Sequence, residues 1–235
     1  MKYQLRDYQK KASDAAVMCF KMKSGRNGLL VLPTGAGKSL IIADIAARLE
    51  EPLIVFQPNK EILEQNFAKL QTYGIWDCSI YSASVGRKEI SRITFATIGS
   101  VIRHMKDFQH FKNILIDECH LVKPSDGMYK RFFEQAERRI VGLTATPYRL
   151  YSCMNGSMLK FLTRTRPRVF SQVLYYCQVS ELLAKGFLSR LKYYDVTRID
   201  LTKVRRNSSG ADFDDASLSD EFRRVDLYGL SLIHI

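Results

Sequence analysis

No stretch of this 235-residue chain stays apolar for long. Runs such as "GLLVL" at 28–32 fall far short of the roughly 20 residues that a membrane-spanning helix requires. The opening "MKYQLRDYQKKA" has no apolar core of the kind a secretory signal carries. The two absences predict a cytoplasmic protein with no membrane partner. Cysteine is sparse: Cys19, Cys78, Cys119, Cys153 and Cys177 make an odd number without a CxxC pair. Such a set excludes a disulfide or zinc framework and predicts reduced, mostly buried thiols. The four histidines have no metal-ligand spacing, and no internal repeat is present. Acidic residues are in deficit, 24 against 36 basic, for a net charge of +12. That excess favours a polyanionic partner, nucleic acid before a membrane surface, although ordinary solubility charge accounts for it equally well.

What is present is enough for a packed core, with 46% hydrophobic and 11% aromatic residues. Through the first 150 residues, short β-type runs alternate with helical patterns. "GLLVL" leads into a Gly-rich turn, and "SLIIADIAARLEE" (39–51) then puts Ile41, Ile42, Ile45 and Leu49 on one stripe. "PLIVFQ" (52–57) reads as a strand before the helix "NKEILEQNFAKLQTYG", which Gly74 stops. "RITFAT" (92–97), "NILIDE" (113–118) and "RIVGLTAT" (139–146) read as strands, with helices at "IGSVIRHM" and "MYKRFFEQAERR". This alternation predicts an α/β fold, a parallel sheet with helices on both faces, whose ligands gather at the carboxyl ends of the strands. Farther on, "SCMNGSMLK" reads as turn, "QVSELLAKGFL" as a helix closed by Gly186, and "RLKYYDVTRIDL" as a strand. The polar "RRNSSGADFDDASLSDEF" reads as loop.

"LPTGAGKS" (32–39) carries the strongest chemical signal, because it lies between a strand and an amphipathic helix. Gly35 and Gly37 let the backbone of Thr34, Gly35, Ala36 and Gly37 curl so that its N–H groups face an anion, and the following helix adds its positive end. Lys38 would reach the β- and γ-phosphates of ATP, and the Ser39 hydroxyl would ligate Mg²⁺. Leu32 stands where the strict phosphate-loop pattern has its first Gly. In "ILIDECH" (114–120) two acids sit at the tip of an apolar run. With a phosphate loop upstream, Asp117 would hold the metal through its water shell and Glu118 would orient and deprotonate the attacking water. Two buried acids repel each other, and a metal with a nearby lysine removes that penalty.

"LRDYQ", "LPTGAGKS", "VFQPNKEILEQ", "FATIGSV", "LIDECH" and "VGLTATP" follow the order and spacing of superfamily 2 helicases and translocases. The chain resembles their DEAD/DEAH-type (DExH) group, which includes bacterial RadD-like proteins and phage helicases, over about residues 3–150. A looser likeness runs to about 195 through "ELLAKGFLSRLKYYDV". The resemblance implies the N-terminal RecA-like P-loop NTPase domain of a DNA helicase, in a bacterial or phage-infected cell. It assigns adenine recognition to Gln9 with Arg6, where the residues alone suggest only an exposed helix position. It gives His120 the coupling of the nucleotide site to the motif Thr144, Ala145 and Thr146, whose threonine hydroxyls can bridge the ATP site and the inter-domain cleft. Pro58, Asn59, Gln65, Thr97 and Gly99 match motifs that hold a nucleic-acid strand by its phosphates; singly they are unremarkable cap and turn residues. Arg87, Lys88 and the basic run Lys160, Arg164, Arg166 and Arg168 are further phosphate candidates, or a solvated basic face.

The resemblance also implies a division. Residues 1–190 form the ATP-binding RecA-like domain, and 191–229 begin a second, incomplete one. Residues 230–235, "LSLIHI", read either as sequencing-adaptor read-through or as a genuine apolar tail. Motifs of the second lobe, including its arginine finger, are not found before residue 235. DNA is preferred to RNA as the track. Alternatives are the motor subunit of a restriction system, a nucleic-acid-binding ATP switch without turnover, and a small-molecule kinase, which leaves "TATP" and the basic excess unexplained.

Overall fold

The computed structural model describes residues 4–22, 27–153, 156–190, 200–207 and 213–224. The chain divides into two compact units, one of Met1–Arg149 with Phe161–Ser189 and the other of Leu150–Lys160 with Arg190–Ile235. No helix among the described residues is long and apolar enough to cross a membrane.

The first unit is built on one sheet. Its elements in chain order begin with helix α1 (Asp7–Lys21), strand β1 (Gly28–Val31), α2 (Lys38–Arg48), β2 (Leu53–Phe56) and α3 (Lys60–Thr72). There follow β3 (Cys78–Ser82), β4 (Arg87–Lys88), β5 (Ile93–Ala96), α4 (Ile98–Val101), β6 (Asn113–Ile116), α5 (Met128–Phe133) and β7 (Arg139–Thr144). Strand β10 (Gln172–Tyr176) and helix α6 (Val179–Ala184) complete the unit, while β8 (Tyr148–Cys153) and β9 (Gly156–Phe161), which lie mostly in the second unit, form a separate two-stranded sheet. The large sheet runs β10-β1-β7-β6-β2-β5-β3-β4, parallel throughout except for the β3–β4 pair.

Alternating side chains feed two cores, as the period-2 geometry of strands requires. Leu30, Leu53, Val55, Leu115, Val141 and Leu143 pack with α1, α2 and α3. Leu29, Ile54, Phe56, Ile114, Ile116 and Ile140 pack beneath α4, α5 and the turn that carries Phe108 and Phe111. Both faces are thereby covered, which is why these strands read as continuous apolar runs. Helix α3 begins where the Asn59 side chain accepts from the Ile62 N–H at 2.9 Å. It ends before Gly74, at φ 76°.

The structure departs from the sequence-based expectation in several places. Within "SCMNGSMLK", Ser152 and Cys153 end β8 and Gly156 to Lys160 begin β9, so those positions are strand where the sequence suggested turn, while Met154 and Asn155 lie outside the described residues. The polar "DDASLSDEF" forms α7 (Asp215–Arg224) in the second unit. Asp214 caps it through the Ser217 N–H at 2.9 Å, acid opens its first turn, and Arg223 and Arg224 close its last. Its low hydrophobicity concealed these helix signals. Strands β3, β4 and β10 were not anticipated, and α4 and α5 are shorter than their patterns suggested. Most of the strand expected at 190–201, and the whole of 230–235, lie outside the described residues.

Gly142 in β7 is a packing requirement. A Cβ there would lie 2.6 Å from Cys119 Sγ, 2.8 Å from Cys119 Cβ and 2.8 Å from Phe170. Gly142→Ala is therefore expected to destabilise the fold by about 1–3 kcal/mol, as overpacking in a close-packed core does. Chemical denaturation measures it, and an unchanged midpoint would show that the core under Cys119 has slack.

Candidate functional site

The phosphate loop joins β1 to α2. Leu32 extends the β1 ladder by donating its N–H to Thr144 O at 2.9 Å, and its side chain is fully buried in the core shared with α1 and α2. A leucine in place of the pattern's first glycine thus serves the strand and leaves the loop intact. Gly35 and Gly37 take φ values of 79° and 78°, the left-handed region that glycine adopts without strain. Gly37 is also sterically enclosed, since a Cβ would come within 2.5 Å of Gln9 Nε2. The tips of α1 hold the loop from below: Tyr8 Oη and Gln9 Nε2 both donate to Ala36 O at 2.9 Å. Gln9 Oε1 accepts from the Arg6 N–H at 2.9 Å, so the buried amide is anchored at both ends and braces the loop. The Arg6 guanidinium lies over the Phe187 ring, 4.2 Å from its centroid. Thr34 is exposed at the turn, while Ser39 stands in the first turn of α2, partly buried.

Asp117 and Glu118 follow β6 directly. Sheet order separates β6 from β1 by β7 alone, so the acids arrive beside the loop. Lys38 Nζ donates to Glu118 Oε1, an ion pair between residues 80 apart in sequence. Glu118 holds φ 47°, the one described non-glycine residue with positive φ, a conformation that costs energy and recurs at functional sites. Burial pushes its carboxyl up, yet the bonds from His120 and Lys38 more than offset this and bring it from 4.5 to about 2. His120 Nδ1 lies 3.3 Å from Glu118 Oε2 and 3.0 Å from Thr144 Oγ1. Thr144 Oγ1 in turn accepts the Thr146 N–H at 3.0 Å, so the acidic pair and the "TAT" segment form one network.

Asp117 is only 6% exposed. Burial pushes its carboxyl up; Lys38 opposes this and neighbouring Glu118 reinforces it. Oδ1 accepts the Glu118 N–H at 3.0 Å, and Oδ2 accepts Asn66 Nδ2 at 3.3 Å. Asn66 on α3 was not anticipated. Its position within a helix of apolar period gave no sign, although a polar residue between Leu63 and Phe67 on a buried stripe is the kind of interruption that marks a partner. Its Oδ1 is buried without a protein partner. No group of three or more His, Cys, Asp or Glu among the described residues could hold a metal on protein ligands alone. The candidate donors, the desolvated Asp117 carboxylate and the Ser39 hydroxyl at the start of α2, are few and hard. They fit Mg²⁺, which keeps most of its water and shares substrate phosphates.

Four of the five strand-contact candidates meet. Pro58, Asn59, Thr97 and Gly99 line a cleft of about 490 Å³ at the carboxyl ends of β2 and β5, with Lys60, Lys88 and Arg103. Thr97 Oγ1 and Ser100 Oγ are 2.9 Å apart, and Ser100 Oγ accepts the Ala83 N–H at 2.9 Å, fixing the hydroxyl face of the cleft. Gln65 is exposed on α3 and is not among the lining residues; neither is Arg87. Arg103 was missed because it follows the short α4, where neither periodicity nor motif marks it. Of the basic run, Lys160 belongs to the second unit and Arg164, Arg166 and Arg168 to the first.

The sequence profile of the family described as "Type III restriction enzyme, res subunit" matches residues 2–149. The DNA 3'-5' translocase XPB2 of Sulfurisphaera tokodaii is 29% identical over 151 residues, covering 63% of this chain and 32% of that protein. The DNA 3'-5' helicase XPB of Mycobacterium tuberculosis is 29% identical over 154 residues, covering 61% and 27%. The chain spans about a third or less of the length of these relatives. Among solved structures, a nuclease-deletion mutant of the Type ISP restriction-modification enzyme LlaGI superposes with a TM-score of 0.57 at 14% identity, covering 78% of this chain and 18% of that one. This likeness supports the fold.

The two acids carry opposite pH signatures. Glu118, with its lowered pKa, contributes stability that is complete above about 4.5 and is lost as pH falls toward about 2. Asp117, with its raised pKa, costs stability when ionised, and the cost disappears in acid as it takes up a proton. Asp117→Asn should therefore raise the thermal midpoint at pH 7, with an advantage that narrows as pH falls. Rotation of the Asn66 amide would let its orphan Oδ1 accept from the new Nδ2. Thermal melts across pH test this, and a variant less stable than the parent at pH 7 would contradict the burial penalty.

Proposed function

The chain belongs to the family described as "Type III restriction enzyme, res subunit" and carries the N-terminal RecA-like domain of a superfamily 2 helicase, and from that premise we propose that it is the ATP-hydrolysing lobe of a DNA translocase. The single observation that carries this reading is the ion pair between Lys38 at the phosphate loop and Glu118 at the tip of β6. A lysine held by a carboxylate at the mouth of an anion cradle is poised to exchange that partner for a phosphate.

Lys38 would leave Glu118 for the β- and γ-phosphates, while the N–H groups of Gly35, Ala36 and Gly37 and the start of α2 hold the rest of the chain of phosphates. Once released, the Glu118 carboxylate loses a cation that holds its pKa down and becomes the better proton acceptor for an attacking water. Ser39 and Asp117 would hold Mg²⁺, which when bound neutralises charge on the transferring phosphoryl group. Asn66 and the Glu118 N–H fix both oxygens of Asp117 for that task. His120 ties Glu118 to Thr144, so a change in Glu118's partner is felt by the segment that leads out of β7. Gln9 with Arg6 would read the adenine; in support, Gln9 is bonded to the loop at Ala36 O and one hydrogen of its amide remains for a base edge.

DNA is the proposed track. Support comes from the +12 charge, the basic cleft at Lys88 and Arg103, and relatives whose names specify DNA. The family description and the LlaGI likeness favour a restriction-system motor as the setting of this activity. Residues 1–190 would constitute the lobe, with 191–229 leading to a second lobe that supplies the arginine finger.

Three measurements test the reading. Lys38→Ala should weaken MgATP binding at least tenfold, because the cradle loses its one side-chain cation. Glu118→Gln should keep binding and lower hydrolysis by about 10²–10⁴. The 235-residue chain alone should turn over slowly, about 10³–10⁵ below a motor with its finger in place. ATP affinity unmoved by Lys38→Ala would remove the foundation of the proposal.

A further inference from the structure

Beside the basic cleft lies a second hollow of different character. It measures about 480 Å³ and shares Pro58, Thr97 and Gly99 with the first, so those three residues form the wall between them. The first cleft is faced by Lys88, Arg103 and His104, and by Lys60 with Glu61 4.0 Å from its ammonium. The second is faced by Ile98, Leu121, Met128 and Tyr129, with Lys123 and Asp126 also lining it. Leu121 is 54% exposed and Met128 43% exposed. A single exposed apolar residue is ordinary, but two lining one hollow beside a basic cleft offer it an apolar character that the cleft lacks. The two side chains come from segments that packing anchors firmly. Cys119, two residues before Leu121, is fully buried under Gly142, and Phe132, one turn after Met128, is fully buried against Phe56.

A nucleotide has the same two-part character: an anionic sugar–phosphate and a flat, largely apolar base with polar edges. The proximity of a cationic and an apolar cleft across one thin wall matches that unit. We propose that the hollow at Leu121 and Met128 receives an unstacked nucleobase of a single strand whose phosphates lie in the Lys88–Arg103 cleft. Met128 and Leu121 cover the faces of the base, as polarizable and aliphatic groups do for any base, and Lys123 and Asp126 stand where they can meet its edge. The site therefore distinguishes a single strand from a duplex, because a paired and stacked base is not available to enter it. This inference rests on the nucleic-acid reading above and adds to it a contact that is not to phosphate.

Fluorescence anisotropy on the 235-residue chain tests it with three probes of equal length: an oligothymidylate, an abasic oligomer and a duplex. The oligothymidylate should bind about tenfold or more tighter than the abasic strand, the return expected from one seated base. The duplex should show no such gain. Leu121→Ser with Met128→Ser should bring the oligothymidylate down to the abasic level and leave abasic binding unchanged. Both residues are surface-exposed, and a thermal melt verifies that the variant folds. Lys88→Ala with Arg103→Ala should weaken both strands by a similar factor. Equal affinity of the base-bearing and abasic strands overturns the proposal, as does a base preference that survives the double serine variant. Failure of all three probes to bind at low salt, with the oppositely behaving Lys38→Ala still impairing ATP binding, would instead sink the nucleic-acid premise and the proposal with it.

Discussion

The contact between Lys38 and Glu118 organises the molecule's functional end. Two neighbouring carboxylates at the mouth of a buried strand are unstable company: each is partly desolvated, and each raises the cost of ionising the other. The lysine supplies the nearby cation that makes the arrangement tolerable, and it reaches them only because β7 separates β1 from β6 in the sheet. The compensation is unequal. Glu118, bonded by Lys38 and His120, is held at about 2, whereas Asp117, deeper and without a directly bonded cation, is pushed up. One acid is thus a settled anion and the other an anion that still lacks its counter-ion, a difference set by burial and partners rather than by residue type.

The same end of the sheet is connected sideways by α3. Its N-cap, Asn59, lines the basic cleft, and Asn66, two turns on, donates to Asp117. Residues seven apart share a helix face, so a rigid helix anchored by Leu63, Phe67 and Leu70 presents one polar group to each site. At the tip of β2, Gln57 is buried with both amide atoms unpartnered, and Asn66 keeps one orphan oxygen. Buried polar groups left without partners are rare in finished cores. Their presence next to Asp117 and beside Pro58 marks a region built for something other than packing.

Much of this was legible in the residues. Strands whose side chains enter two cores are apolar on both faces, and "LIVF" and the "ILI" of β6 show it; the loop "TGAGKS" requires glycine where φ is positive. Both constraints act locally and leave a local trace. Gln172–Tyr176 escaped because an edge strand is only partly buried and tolerates Gln and exposed Tyr. Cys78–Ser82 is an inner strand and almost wholly buried, but Ser79 and Ser82 interrupt its apolar run, so its membership depends on neighbours distant in sequence. Asn66 and Arg103 escaped for a related reason: what they do is defined by Asp117 and by the β5–α4 turn, and the sequence around either does not name that partner. Helix α7 had its signal in capping and charge order, on a segment so polar overall that it reads as loop.

The departures from ideal pattern are informative in the same sense. Leu32 replaces a glycine, and the structure absorbs the change because that position belongs to the strand, where its side chain adds to the core. Glu118 keeps a left-handed backbone that a glycine would occupy more cheaply. The first substitution improves packing at no cost to the loop; the second retains a carboxylate at the expense of backbone comfort. Strain is therefore found where a particular side chain must face the phosphate cradle, and is relieved one residue outside it. A site whose sequence follows stability until the last strand residue, and then abandons it for two acids, is one where the chemistry of those acids, rather than the fold, has dictated the residues.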